Sequence, residues 1–404
     1  MRDKGAVEQG SRGGEVARDA ILRSGPLWPV GTAIAWLERI DSGTHRRIKG
    51  LRLVTAFGIA WMMANLQGLS IQPSGRGSLG AMAAGFALWA SVSEGRTTRA
   101  ASSRDLALLV LAAVIGAVMM LGLAPVLATI GRAGPELTLV TGAFLVGYLK
   151  RFGVLGAGLG SQIYIGQLLA YGAGSTSDDL AMVAIAELIA AVAAIIPRLL
   201  SGPAERPALA APAVSDPETD RAHLSPELRM GLQAASAALV IVILNDLVGL
   251  KESAWAITAC TYVIAGTTFG TIDRVFRRII GTAIGVPLGL ACLPFALQLP
   301  IVIWIAAALA MIIYAMALPE RYDIACGAYA FALIVTLAAG GESSATTLLS
   351  RAWETLIGGA FGLITAMLVL PLNPSRGGQP MRRIFQLTKT AGDRSSSDGQ
   401  GDEE

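Results

Sequence analysis

Arg274, Arg277 and Arg278 stand three and four residues apart, which puts Arg274 over both others on one helical face. Such a cluster draws anions to the mouth of a path, or it rests against lipid phosphates and orients the chain. Arg351 and Glu354 offer a second pairing. Either the guanidinium holds an anionic carboxylate, or the two form a local ion pair with the glutamate favoured at a helix N-terminus. Glu187 sits in Ala-Ile-Ala-Glu-Leu-Ile-Ala, where a charge is costly if the segment crosses a bilayer. It reads as a proton-coupling acid or as a hydrogen-bond partner between helices, with Asp246 and Glu354 as the reserve positions for coupling. Asn65, Gln67, Gln162, Gln167, Gln233 and Asn245 are further polar groups in apolar surroundings; they bond helix to helix or line a pathway.

These groups need long apolar helices to position them, and the composition supplies such helices. Of 404 residues, 53% are hydrophobic and only 15% charged, too apolar for an ordinary soluble protein. A hydrocarbon core takes about 20 apolar residues of helix, and runs of that order recur. Spans are expected over Leu51 to Ile71, Leu79 to Ser93, Leu106 to Ile130, Glu136 to Leu149, Gly153 to Tyr171 and Leu180 to Leu200. A second set runs over Leu228 to Leu250, Ser253 to Thr271, Ile279 to Leu297, Pro300 to Leu318, Asp323 to Ala339 and Ala352 to Leu372.

The expected fold class is therefore all-α, about twelve transmembrane helices in two six-helix groups, 51–200 and 227–372. Between them 201–226 is a Pro-, Ala- and Asp/Glu-rich linker. Residues 1–50 form a mixed N-terminal tail with no secretory apolar core, and 373–404 a polar, disordered tail. The groups echo one another: arginine-bearing loops follow the second span (Arg96, Arg99, Arg104) and the eighth (Arg274, Arg277, Arg278). Six spans each would make a parallel repeat. Basic residues gather in alternate short loops, which places both termini and the linker on the cytoplasmic side. Gly281, Gly285 and Gly289, every fourth residue, leave a bare stripe for close helix packing, and Gly358 and Gly362 are read the same way.

Several function classes are disfavoured. Cys260, Cys292 and Cys326 all lie in apolar runs, so neither a disulfide framework nor a metal site is implied. His45 and His223 make no catalytic pair, and none of the lysines follows a glycine in a phosphate-binding loop. No cofactor, metal, enzymatic activity or nucleic-acid partner is expected.

Three motifs carry a family resemblance. Leu250-Lys-Glu-Ser-Ala-Trp-Ala-Ile-Thr258, Arg278-Ile-Ile-Gly-Thr-Ala-Ile-Gly285 and Arg351-Ala-Trp-Glu-Thr-Leu-Ile-Gly358 follow one another along the chain with matching order and spacing. Together they resemble the second half of fusaric-acid-resistance and aromatic-acid-exporter membrane proteins, in a short form. The resemblance implies a bacterial inner-membrane exporter of small organic anions, aromatic carboxylates foremost, driven by the proton gradient. It also implies work alongside a periplasmic adaptor and an outer-membrane channel, and a homo-oligomer is a further expectation. Larger relatives carry a folded cytoplasmic domain where this chain has about 25 linker residues, too few to build one. The competing readings are a non-transporting membrane scaffold or assembly partner, and a passive anion channel.

Overall fold

Polar caps and glycine stops punctuate the apolar runs, and a helix forms between each pair. Ser78 accepts the amide of Ala81 (3.1 Å) to start one helix, and Thr267 that of Gly270 (3.0 Å) to start another. Ser225, followed by Pro226, accepts the amide of Leu228 and opens a third. Gly174 (φ 63°) and Gly249 (φ 77°) end helices in the left-handed conformation that glycine adopts without steric cost.

The computed structural model describes residues 45–66, 78–95, 98–201, 224–250, 253–296, 298–318, 320–339 and 345–371. Among them the chain is helical throughout its regular structure. The first group holds α1 (His45–Ala64), α2 (Leu79–Ser93), α3 (Arg99–Leu127), α4 (Leu137–Tyr148), α5 (Gly153–Ala173) and α6 (Leu180–Leu200). The second holds α7 (Pro226–Val248), α8 (Ser253–Val263), α9 (Thr268–Ala291), the short α10 (Leu293–Ala296), α11 (Pro300–Ala317), α12 (Tyr322–Ala339) and α13 (Ala345–Leu368). Five helical stretches are long and apolar enough to cross a membrane: Arg99–Leu127, Gly134–Ala173 (which contains α4 and α5), Ser177–Leu200, Pro226–Val248 and Thr268–Phe295.

Boundaries agree with expectation at α2 and α6 and move elsewhere. Arg46, Arg47 and Lys49, which the expected boundary at Leu51 left in the N-terminal tail, form the first turn and a half of α1, and residues 67–71 of that expected span lie outside the described residues. The eighth span stops at Val263 rather than Thr271, because Thr267 caps a new helix and the Thr271 hydroxyl accepts the amide of Ala265 (3.1 Å). Arg274, Arg277 and Arg278 therefore lie inside α9, not in a loop before it. The last helix starts at Ala345, so Arg351 and Glu354 sit in its second and third turns instead of opening it. The expected linker and both tails fall largely outside the described residues.

Packing rests on small residues, as it must where lipid offers no hydrophobic drive between helices. α1, α2 and α6 form one trio, α7, α8 and α13 another. α3 crosses α5 through Gly116, where a Cβ would strike the Ile163 carbonyl, and Gly166, where it would strike that of Ala113. α9 meets α12 along Gly281, Gly285 and Gly289; a Cβ at Gly281 would lie 2.7 Å from the Cys326 Cβ, and one at Gly289 2.7 Å from the Ile334 Cβ. Gly358 and Gly362 let α13 lie on α8, against Ala256, Ala259 and Cys260. Between the groups α4 packs on α7, and α1 on α11.

Candidate functional site

The two groups enclose a cavity of about 1770 Å³ between them. Its walls are α1, α2 and α5 on one side and α8, α9, α11 and α12 on the other. Because α5 contributes residues from Val154 to Ala173, the cavity follows that helix along nearly its whole length. Aromatic rings line it in two clusters. Trp89 meets Tyr329 and Tyr314 edge-on, with centroids 5.6 and 6.2 Å away. Phe57, Trp61 and Trp304 form the other, at 6.3 to 6.5 Å. Gln162 holds the first cluster in place by donating to the Trp89 carbonyl (2.8 Å) and the Ser93 hydroxyl (2.9 Å). Two hydroxyl pairs, Ser161 with Tyr262 (2.7 Å) and Tyr164 with Thr258 (2.8 Å), tie α5 to α8 across the groups.

The three arginines line one end of the cavity and differ sharply in their partners. Arg277 pairs with Asp273 at 2.8 Å, four residues back, and approaches Asp323 at 3.9 Å. Its charge is neutralised. Among the described residues Arg274 donates only to the Ile264 carbonyl, at 3.4 Å. Arg278 donates only to the Tyr322 hydroxyl, at a long 3.4 Å, and its buried Nε has no partner among the described residues. No carboxylate pairs with Arg278 among the described residues. Beyond these, Arg46 of α1 bonds Glu320 in the turn before α12, and its guanidinium holds that exposed carboxyl below the usual carboxylate range.

The other residues singled out from sequence lie elsewhere. Glu187 is half-buried on α6, beside the outward-facing Leu188. α6 contributes nothing to the cavity wall, and Glu187 makes no hydrogen bond among the described residues. Asp246 is exposed and accepts the amide of Ala133 (3.0 Å), fastening the end of α7 to the turn after α3. Glu354 is buried on α13 and does not line the cavity. The side chain of Arg351 lies outside the described residues.

Sequence reasoning passed over Glu136. It lies in the single 3₁₀ turn before α4, at the end of the molecule opposite the arginines, and is 2% exposed. Its Oε1 accepts from Tyr171 of α5 (2.6 Å), Asn245 of α7 (2.8 Å) and Ser253 of α8 (2.5 Å). The available signal was a lone carboxylate heading an apolar run. The aromatic lining gave no signal, because its rings come from positions 57 to 329 of the chain.

Compared with known proteins, the chain matches neither a curated protein nor a solved structure. Residues 238–365 do match a family model, described as fusaric acid resistance protein-like. That segment runs from within α7 to within α13 and takes in all three arginines. With its several membrane-length apolar helices, the chain is thus a multi-pass membrane protein whose segment 238–365 is similar to fusaric acid resistance proteins.

Proposed function

We propose that the protein exports small organic anions, aromatic carboxylates above all, out of the cytoplasm across a bacterial inner membrane. The family points to membrane transport or efflux. The observation that carries the finer reading is Arg278: a guanidinium without a carboxylate partner among the described residues, facing a cavity walled by Trp89, Tyr314 and Tyr329. A substrate carboxylate would take two parallel hydrogen bonds from Arg278. Its ring would lie edge or face against the tyrosines, the geometry aromatic pairs prefer.

The remaining parts of this reading hang together physically. Weak aromatic acids cross bilayers in neutral form and ionise at cytoplasmic pH, so removal requires carrying the anion. Moving one negative charge out across an inside-negative potential gains about 2.3 kcal/mol per 100 mV. The matching helix pairings support two parallel six-helix repeats: trio with trio, α3–α5 with α9–α12, and α4–α7 with α11–α1. Basic ends on the arginine side favour cytoplasmic termini. A periplasmic adaptor, an outer-membrane channel and self-association complete the proposed setting. A passive channel is the second reading, favoured by a cavity that follows α5 nearly end to end.

The test is uptake and release of a labelled benzoate-type acid by the purified protein in liposomes. Arg278→Gln should weaken substrate affinity roughly ten- to a hundredfold, the worth of about 1.5–3 kcal/mol for hydrogen bonds to a charged group. Arg277→Gln, already neutralised by Asp273, should cost far less. Parental transport by Arg278→Gln would remove the proposed anion site. Movement that follows voltage and ignores the pH gradient would favour the channel, and no movement at all the scaffold.

A further inference from the structure

Glu136 is an intramembrane-end carboxylate that the anion site does not use, and its two oxygens are treated very differently. Three donors from three helices converge on Oε1, as described above. Oε2 is buried with no partner among the described residues. No cation comes within ion-pair distance of it among the described residues: Arg132, in the turn after α3, spends its guanidinium on the Asn245 and Asp246 carbonyls. From α7, Asp246 faces the Ala133 amide; from α5 the titratable neighbour is Tyr171; from α8 the contact is Ser253. A buried polar atom without a partner calls for an explanation, and ionisable groups within membrane-length helical stretches mark proton relays.

We infer that Glu136 is a reversible proton-binding site that links proton occupancy to the contact between the two helical groups. The vacant oxygen, Oε2, receives the proton. Tyr171 both bonds Glu136 and lines the cavity, so one hydroxyl separates the carboxyl from it. When ionised, Glu136 pulls donors from α5, α7 and α8 onto one atom. Protonation turns three charge-assisted bonds into ordinary ones of about half the strength, and the seam between the groups loosens. Proton binding thereby biases a packed contact, the way local charge changes drive switches generally.

The use of this site in transport rests on the function proposed above; its proton binding does not. Infrared difference spectra of the full chain in lipid vesicles, acid minus neutral, are expected to show a protonated-carboxyl band that loses one component in Glu136→Gln. In the same vesicles, Glu136→Gln should reduce accumulation of labelled benzoate driven by a pH gradient to that of protein-free vesicles, while exchange at equal concentrations continues at the parental rate. Persistence of the full band in Glu136→Gln, or gradient-driven accumulation at the parental level, overturns the inference. If the parent itself moves no benzoate under any gradient, the transport reading fails, and the infrared arm alone decides proton binding. Should Glu136→Gln fold poorly, Tyr171→Phe keeps the carboxyl and cuts its link to the cavity. That variant is expected to retain the band and slow gradient-driven accumulation; accumulation at the parental rate counts against the inference.

Discussion

Glu187 and Glu136 are both carboxylates in apolar surroundings, and their neighbours separate their roles. Glu187 lies on a helix that walls no part of the cavity, half-buried beside an exposed leucine. A side chain so placed can turn toward headgroups or lipid-exposed water without disturbing the bundle. Glu187→Gln is therefore expected to leave gradient-driven export within about twofold of the parent, the scale of a substitution worth about 0.5 kcal/mol. Complete loss of accumulation in that variant, at equal abundance, would return the coupling role to α6. The arginines show how far residue-level reading reaches. Their clustering was plain in the sequence; the pairing of Arg277 with Asp273, four residues back, which neutralises one of them, comes from the structure. What isolates Arg278 is the course of α12, which brings Asp323 toward Arg277 and offers Arg278 only a hydroxyl. Nothing local in the sequence encodes that.

Among the elements, the helices whose ends were legible are those whose apolar run and hydrogen-bonded run coincide, such as α2 and α6. Hydropathy marks contact with hydrocarbon, whereas a helix continues until its backbone bonding stops. α9 and α13 therefore extend past their polar residues, and the caps that set their true limits are single residues such as Thr267. The glycine stripes were legible as packing devices because their period matches the helix; their partners were not, since no motif says which helix a stripe meets. The contacts make a sharp stability forecast. A side chain at Gly285 would collide with the Gly327 carbonyl, while Gly122 of α3 has open space around it. Gly285→Leu should destabilise the protein by about 1–3 kcal/mol or more, the range of overpacking. Gly122→Ala should be neutral or stabilising, since alanine favours a helix over glycine by about 1 kcal/mol. Thermal unfolding in detergent, followed by intrinsic fluorescence, checks both; equal midpoints for the two variants would contradict the backbone contact.

Across the whole molecule, the stripe on α9 has a consequence for direction. Where Gly281 and Gly285 touch α12, backbone meets backbone with no cushion of side chains to deform. Arg278 stands one turn before that junction on one rod, and Tyr322 and Tyr329 flank it on the other. The jaw proposed to grip the anion would thus be a single casting, keeping its bite whichever compartment it faces. A ligand held equally well in both poses shifts no balance between them. Such a carrier is an impartial turnstile: concentration alone drives cargo through it either way, and any bias is imposed by voltage or by a second passenger. Apparent affinities for the labelled acid, measured from each side of oriented vesicles without a gradient, should agree. A disparity of about tenfold or more would mean that the two rods part during the cycle and that the grip itself is remade.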